Sequence, residues 1–273
     1  MGGQSMSKYT HALVVIPAHD EEEHIEACLD AIVQSAQLSG VHVEIVVALD
    51  KCSDRTAAIL ERLPHDLHAL EFSFAMVGRS RHAGITAGLV ILRNVPTENI
   101  WIFNTDADSL VPATWIRTHL SYAATCDVVT GTVAPDWGDA PAEVVAEYEA
   151  RYQAKPGHRH IHGANMSFSA CAYLEVGGFP FTVESEDVEL VDEFVHSGYR
   201  VSRIAEDPVH TSTRQSNRTP GGFSGYLEGL RGEATLDSDA ALLGDAAPVR
   251  DAAPHRSAAP HRSAAPHRSA DCL

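Results

Sequence analysis

The chain has 273 residues, 44% hydrophobic and 21% charged, so it can bury a core without disulfides or a structural metal. It contains 37 Asp and Glu residues against 20 Lys and Arg residues, which gives a formal net charge of −17. Such a field repels phosphate backbones and anionic lipids, so we expect no nucleic-acid partner. An anionic ligand would need local cations or a bound metal at its site.

Membrane and secretion signals are not evident in the sequence. No apolar run approaches the roughly 20 residues that a membrane span needs, and the first residues lack the apolar segment of a signal peptide. The five cysteines include no C-x-x-C pair. We therefore expect a cytoplasmic protein without a membrane span.

In the first half of the chain, about 8–131, short β-branched runs alternate with longer amphipathic stretches. This alternation predicts an α/β fold with a Rossmann-like, mostly parallel sheet flanked by helices. The predicted strands are Ala12–Ile16, Val43–Ala48, Leu70–Val77, Ile100–Asn104 and Val128–Val133. The predicted helices begin near Glu21, Ser53, Arg81 and Pro112.

The second half, about 132–232, is less regular and predicts a smaller subregion of the same domain, which we place at 8–232. A helix is predicted at Ala142–Gln153, followed by a solvated His-rich loop with His158, His160 and His162. Residues 233–273 contain the hexapeptide AAPHRS three times in succession. This Ala- and Pro-rich tail has too few large apolar side chains to fold, and we expect it to be disordered.

The first two predicted strands end in acidic loops. The first runs into Pro17, Ala18, Asp20 and Glu21, without the glycines that a dinucleotide-binding fold or a sugar-nucleotide pyrophosphorylase would have there. Acids at this point could also simply decorate a helix N-terminus. Asp50 ends the second strand, where it would project over the sheet edge and could accept a hydrogen bond from a base ring N–H.

The fourth predicted strand runs directly into Asp106, Ala107 and Asp108. Side chains two residues apart on an extended chain point the same way, so the two carboxylates form a dense negative spot. Hard divalent cations such as Mg²⁺ bind one or two carboxylates together with water and substrate phosphate. The pattern favours a metal site over a solvated turn.

Together these segments resemble the nucleotide-sugar-binding half of the family 2 glycosyltransferases, which have the GT-A fold. Pro17, Ala18 and Glu21 match the family's first-strand P-x-x-N-E motif, with Asp20 in place of the usual Asn. The remaining matches are Asp50 to the base-binding Asp, Asp106–Asp108 to the D-x-D motif, and Arg81 to the basic position beside the donor phosphates. Leu49 stands where a second Asp often lies.

The resemblance continues into the second half, which it identifies as the acceptor side. Segments 162–168 and 177–180 look like the family's acceptor-side strand and G-G-F turn, and Glu186 and Asp187 resemble its E-D motif. The family's general base is the Asp of that motif, with Glu186 as the next candidate here. The alternative is that both acids only complement a helix start, with Ser185 as its cap. His210 lies where some GT-A enzymes place a third metal ligand beside Asp106 and Asp108.

The resemblance implies an inverting, metal-dependent transfer of a sugar from a nucleoside-diphosphate sugar to an acceptor hydroxyl. Mg²⁺ or Mn²⁺ would neutralise the departing diphosphate and Asp187 would take the acceptor proton. Two other functions remain open from the sequence. One is a nucleotidyltransferase, which also needs carboxylates and a metal, and the other is a binding module that holds nucleotide or metal without turnover.

Overall fold

The computed structural model describes residues 8–138, 142–182 and 185–213. Two parts of the sequence-based interpretation lie outside the described residues: the stretch 214–232 and the tail 233–273 with its AAPHRS repeats. In the described part of the chain, no helix combines the length and apolarity that a bilayer crossing requires.

The described strands are β1 His11–Ala18, β2 His42–Asp50, β3 His68–Phe72, β4 Ile100–Asn104, β5 Ser109–Leu110, β6 Val128–Thr130, β7 Val133–Asp136, β8 Met166–Ser169, β9 Val201–Arg203 and β10 Val209–Ser212. The described α-helices are α1 Ile25–Gln37, α2 Thr56–Leu60, α3 Val77–Ile91, α4 Trp115–Tyr122, α5 Ala142–Arg151, α6 Ala170–Glu175 and α7 Glu186–His196.

The main sheet has seven strands in the order β3-β2-β1-β4-β8-β6-β9. The pairs that β1 forms with β2 and β4 are parallel, as are β2 with β3 and β6 with β9. Strand β8 is antiparallel to both of its neighbours, β4 and β6. This mostly parallel sheet flanked by helices confirms the predicted fold class.

Both faces of the main sheet are buried, because successive side chains of its central strands enter different cores. Val14 and Phe103 belong to the core under α1 and α4, whereas Val15 and Ile102 belong to the core under α3, α6 and α7. This double burial explains why β1 and β4 are nearly continuous apolar runs rather than alternating ones.

Two predicted strands end earlier than the sequence suggested. The run predicted as Leu70–Val77 leaves the sheet after Phe72, and α3 begins at Val77 rather than near Arg81. The run predicted as Val128–Val133 breaks at Gly131, whose amide donates to the carbonyl of Asn165, and the chain then enters a different sheet as β7. In both places tertiary hydrogen bonds override an apolar, β-branched sequence.

A second sheet has three strands in the order β5-β10-β7, with β7 and β10 from the second half of the chain and β5 from the first. The predicted helix is α5, and the His-rich segment that follows packs on Tyr152, the residue after this helix, instead of being solvated. His158 is buried, and the His160 ring stacks on Tyr152 with centroids 4.0 Å apart. Burial lowers the pKa of His162 to about 3, so its ring, which lies 3.0 Å from the Tyr152 hydroxyl, is neutral.

Candidate active site

Hydrogen bonds of two acidic residues near the end of β1 join the loop after β1 to the loop after β2. Asp20 Oδ1 accepts the amide of Ser53 at 2.6 Å, and the amide of Glu21 donates to Thr56 Oγ1 at 2.8 Å. The acids of this loop therefore fasten it to its neighbour, and α1 begins only at Ile25. Glu21 is buried at this junction rather than projecting from a helix end.

Pro17 and Ala18 occupy the last two positions of β1, beside Ala48 and Leu49 of β2. Ala18 is buried, whereas Pro17 is only half-buried. These two residues thus lie at the carboxyl edge of the sheet, which is where ligands of open α/β sheets bind.

Asp50 ends β2 at the same edge, but its carboxylate is occupied by the protein itself. Oδ1 accepts the amides of Phe74 and Ala75 at 2.7 and 2.9 Å, and Oδ2 accepts the amide of Met76 at 3.1 Å and the Ser80 hydroxyl at 2.7 Å. A carboxylate has about four acceptor positions, and all four are used here. The geometry therefore assigns Asp50 to the β3–α3 connection and leaves no acceptor for the predicted hydrogen bond from a base.

Asp50 also explains why β3 ends early. Three consecutive amides turn toward one carboxylate, and Ala75 takes a left-handed φ of 52° within this turn. Burial raises the pKa of Asp50, but the hydrogen bonds from Ala75, Ser80, Met76 and Phe74 outweigh it, so the pKa lies below its usual range. The ionised carboxylate is the form that holds the turn.

Arg81 lies in the first half of α3 and is only 3% exposed. Its Nη2 donates to Asp106 Oδ1 at 2.7 Å, its Nη1 donates to the Gly163 carbonyl at 3.1 Å, and its Nε lies 3.5 Å from Glu186 Oε1. Burial opposes the charge of Arg81, yet the carboxylates of Asp106, Glu186 and Asp187 raise its pKa overall. The predicted phosphate ligand is thus an internal cation that joins the D-x-D and E-D segments.

The loop between β4 and β5 carries the D-x-D motif. Asp106 is 36% exposed, so its carboxylate faces both Arg81 and solvent. Ala107 is buried between the two acids, and the carbonyl of Asp108 accepts the amide of Ser212 at 3.3 Å. Asp108 is half-buried, so both carboxylates are at the open edge of the sheet.

His210 is exposed on β10, where it pairs with Leu110 of β5. Among the described residues, no group of three or more His, Cys, Asp or Glu side chains is arranged to hold a metal ion. The structure therefore does not assemble Asp106, Asp108 and His210 into the predicted three-residue ligand set. Two carboxylates remain, and this donor set suits a hard cation that takes its other ligands from phosphate and water.

Glu186 and Asp187 are the first two residues of α7. The Ser185 side chain forms no cap hydrogen bond, and its φ of 63° is left-handed, so it is not the cap that the helix-start alternative requires. Asp187 Oδ2 instead accepts the amide of Gly163 at 2.7 Å, and its Oδ1 accepts the amide of Val188 at 2.8 Å. Asp187 is thereby attached to the segment before β8.

Burial dominates the electrostatics of this pair. It raises the pKa of Glu186, which is 6% exposed, although Arg81 opposes the shift. Burial likewise raises the pKa of Asp187, against the effects of Arg81 and the amides of Val188 and Gly163. Both acids are therefore more basic than ordinary surface carboxylates, as acid-base groups at functional sites often are.

Two glycines complete the cluster, and the sequence interpretation gave neither a role. A Cβ on Gly163 would lie 2.4 Å from Arg81 Nη2, and a Cβ on Gly78 would lie 2.8 Å from the Pro180 carbonyl oxygen and 3.0 Å from Glu186 Cβ. Both positions require a residue without a side chain. The sequence signals were indirect: Gly163 lies in segment 162–168, which resembles the family's acceptor-side strand, and Gly78 lies three residues before Arg81.

Similar folds occur in solved glycosyltransferase structures. S. aureus TarS 1-349 in complex with UDP-GlcNAc matches with a TM-score of 0.55 and 14% identity over 78% of this chain and 61% of that chain. The mannosyltransferase PcManGT from Pyrobaculum calidifontis, in complex with GDP-Man and Mn²⁺, matches with a TM-score of 0.53 and 22% identity over 87% of this chain and 65% of that chain. GalNAc-T7 with UDP, GalNAc and Mn²⁺ matches with a TM-score of 0.55 and 11% identity over 77% of this chain and 46% of that chain.

This chain thus spans less than two thirds of the length of each of these three proteins. At these identities the similarity establishes the GT-A fold. A comparison with curated protein sequences finds no match.

The sequence itself matches the family model described as glycosyl transferase family 2 over residues 13–171, more than half of the chain. That range contains the loop after β1, Asp50, Arg81, the D-x-D motif and Gly163. This match, which agrees with the GT-A fold, shows that the chain belongs to glycosyl transferase family 2.

Proposed function

We propose that this family 2 glycosyltransferase transfers a sugar from a nucleoside-diphosphate sugar to an acceptor hydroxyl with inversion, and that Asp187 is the general base. The observation that carries the proposal is the shared position of Arg81, which contacts both the D-x-D carboxylate Asp106 and the E-D carboxylate Glu186. Donor-side and base-side groups thereby belong to one cluster. The similar folds hold UDP, UDP-GlcNAc and GDP-Man, which supports a nucleoside-diphosphate sugar as the donor.

Asp187 suits the base because it is held in place and still has acceptor capacity. Each of its oxygens accepts one backbone N–H, from Gly163 or Val188, and a carboxylate has about four acceptor positions. In the proposed reaction the acceptor oxygen bonds to the anomeric carbon while the bond from that carbon to the diphosphate breaks. Asp187 takes the proton of the acceptor hydroxyl.

The pKa of Asp187 supports this role. Burial raises it above the ordinary value, which brings the carboxylate closer to the pKa that suits a base working near neutral pH. Because the base must be ionised, activity should be lost as the pH falls through this raised pKa. The acid limb of the pH profile should therefore lie above the usual pKa of an aspartate, about 3.9.

Asp108 would hold a divalent cation, with Asp106 beside it, and Mn²⁺ is present in two of the similar structures. A bound Mg²⁺ or Mn²⁺ would neutralise the charge of the departing diphosphate. The buried Arg81 donates to Asp106 Oδ1, and in this proposal it orients the Asp106 carboxylate. We leave His210 out of the proposed ligand set, because the three side chains do not converge.

The test compares Asp187→Asn with Asp192→Asn, which removes the same charge from an exposed position of α7. We expect Asp187→Asn to lower Mn²⁺-dependent turnover of UDP-GlcNAc or GDP-Man by roughly 10²–10⁴-fold while UDP and GDP affinities stay unchanged. Asp192→Asn should keep full turnover. Equal turnover in both variants would contradict the assignment of the base, and nucleotide binding without turnover in the wild type would favour the binding module.

A further inference from the structure

An exposed cation contacts two aromatic rings at the start of α3. The guanidinium carbon of Arg79 is 4.6 Å from the ring centroid of Phe74 and 5.4 Å from that of Phe181. Phe181 is 60% exposed, although an aromatic ring of this size usually finds cover in a folded protein. We call Phe74, Arg79 and Phe181 the Arg79 platform.

The charge of Arg79 is not explained by the fold. Arg79 lies in the first turn of α3, where the helix dipole disfavours a cation. In the described residues it forms no ion pair, although the chain as a whole carries a net charge of −17. Its two ring contacts nevertheless fix the direction of the guanidinium, which remains open to an anion.

A groove of about 520 Å³ continues from the platform. Its lining residues lie on the edge strand β3 and on α3 and are Leu70, Glu71, Phe72, His82, Ala83, Thr86 and Ala87. Phe72 stacks on Phe74 with centroids 5.3 Å apart, and His82 meets Phe181 edge-on at 5.5 Å, so two lining residues contact the platform directly.

The groove is chiefly apolar, and its charges differ along its length. Burial lowers the pKa of His82, which is therefore neutral at pH 7, so Arg79 supplies the positive charge at the platform end. Among the lining residues Glu71 is acidic and none is Lys or Arg, so the groove itself offers no cation to an anion. A ligand that places an anionic group at Arg79 and an apolar segment along the groove matches the chemistry of both regions.

The platform adjoins the proposed catalytic pair. Gly78, the neighbour of Arg79, packs so closely that an added Cβ would lie 3.0 Å from Glu186 Cβ and 2.8 Å from the Pro180 carbonyl oxygen. Phe181 follows Pro180 directly in the chain. The platform therefore lies next to the backbone segments that pack on Glu186, the neighbour of the proposed base in the chain.

We propose that the Arg79 platform and the adjoining groove bind the acceptor, and that this acceptor carries a phosphate or carboxylate next to an apolar segment. The inference rests on the proposed transfer to an acceptor at the same site. It adds the chemical class of the acceptor, which neither the family nor the fold specifies. The anion pairs with Arg79 between the two rings, and the apolar segment covers the groove.

Hexyl phosphate is the probe, and inorganic phosphate and hexanol represent its two halves. In calorimetry or ligand-observed NMR, we expect hexyl phosphate to bind wild type at least tenfold more tightly than inorganic phosphate, since burying two methylenes already gives about that factor. Hexanoate, tested in parallel, distinguishes a preference for carboxylate from one for phosphate. Equal affinities for hexyl phosphate and inorganic phosphate would show that the groove does not bind the apolar segment, and would overturn the inference.

Two variants test the platform and the groove separately. Arg79→Gln should weaken hexyl phosphate about tenfold, as expected for loss of a hydrogen bond to a charged group. Thr86 is an exposed residue of α3 that lines the groove, and Thr86→Phe would fill part of it. This variant should bind hexyl phosphate more weakly and inorganic phosphate unchanged. Arg93→Gln, which removes the same charge from an exposed position just after α3, is the matched control and should change neither.

The outcomes separate this inference from the proposed function. UDP and GDP affinities are measured in the same proteins and should be unchanged in Arg79→Gln. If wild type binds nucleotide and Arg79→Gln retains the full affinity for hexyl phosphate, the inference about the acceptor is overturned and the proposed function is not. If wild type does not bind UDP or GDP, the proposed function is overturned. If sedimentation shows a wild-type dimer that Thr86→Phe dissociates, the groove holds a second copy and the acceptor assignment is wrong.

Discussion

The amide of Gly163 donates a hydrogen bond of 2.7 Å to Oδ2 of Asp187. The carbonyl of the same residue accepts a hydrogen bond of 3.1 Å from Arg81, so a single glycine holds both the candidate base and the buried cation. Any shift of this residue would displace both groups together. The segment before β8 is therefore part of the site, although it contributes no reactive side chain.

Gly163→Ala should perturb this arrangement through one methyl group. The new Cβ would come within 2.4 Å of Arg81 Nη2, which donates to Asp106. We expect a loss of about 1–3 kcal/mol in the free energy of unfolding, as for other overpacked interiors, measured by urea denaturation. Turnover should also fall, because either Arg81 or residue 163 must shift, and residue 163 holds Asp187 through its amide.

Gly157→Ala is the control for this prediction. Gly157 has a φ of +81° and no atom within 4 Å of its would-be Cβ, so alanine strains the backbone there without touching Arg81. This variant should lose some stability and keep its turnover per folded molecule. If both variants lose the same stability and the same turnover, the contact between residue 163 and Arg81 is not the cause of the loss in Gly163→Ala.

Arg81→Gln should be strongly destabilising, because it leaves Glu186 and Asp106 without their shared cation. Removing one partner of a buried ion pair costs about 3–5 kcal/mol, which urea denaturation would detect. Adding Glu186→Gln to Arg81→Gln removes the stranded charge as well. The double variant should therefore lose less stability than the sum of the two single variants, and strict additivity would argue against the pair.

Asp50→Asn should destabilise the protein through the β3–α3 connection, since an amide cannot accept four hydrogen bonds as the carboxylate does. We expect a loss of about 1.5–3 kcal/mol near pH 7, typical of hydrogen bonds to a charged group. Glu71→Gln, an exposed acid on β3, should have little effect. A direct role in base recognition would instead lower nucleotide affinity without changing stability.

The pH dependence of this effect has a definite sign. Asp50 has a lowered pKa in the folded protein, so its contribution is fully present above about pH 4, the ordinary pKa of aspartate. The contribution is lost as the pH falls through the lowered pKa. The difference in unfolding free energy between wild type and Asp50→Asn should therefore narrow below about pH 4.

Asp108→Ala should remove the Mn²⁺-dependent part of the affinity for UDP or GDP, because Asp108 is the proposed metal ligand. Stability should change little, as for other loop substitutions outside a core. Calorimetry with Mn²⁺ and with a chelator separates the metal-dependent part. Asp66→Ala, at an exposed position of another loop, is the control, and identical Mn²⁺ dependence in both variants would contradict the D-x-D assignment.

The sheet could be predicted from the sequence wherever local pattern and burial agree. β1 and β4 are apolar on both faces, and their runs marked them plainly, with β4 spanning the predicted residues Ile100–Asn104. The acidic loops at the carboxyl edge could also be placed, because parallel strands end at the same edge. The order of the motifs along the chain then identified the family.

The roles of particular polar groups could not be predicted, because they depend on contacts between distant segments. The Asp50 carboxylate is filled by amides 24 to 26 residues later, which no local pattern records. Arg81 pairs with acids from the β4–β5 loop and from the start of α7, so its basic position in the motif gave no indication of its orientation. His210 pairs with β5, which directly follows the D-x-D loop, but its side chain does not join the two carboxylates in a ligand set.

The antiparallel strand β8 lies between β4 and β6, with Met166 opposite Asn104 on one side and Thr130 on the other. During synthesis, the main sheet cannot close until the chain beyond residue 169 has been made, because β6 reaches β4 only through β8. Such distant pairings slow folding. A chain of residues 8–131 alone would leave β4 with an open apolar edge, which invites pairing between copies. The second half of the chain thus supplies the strand that covers this edge of β4.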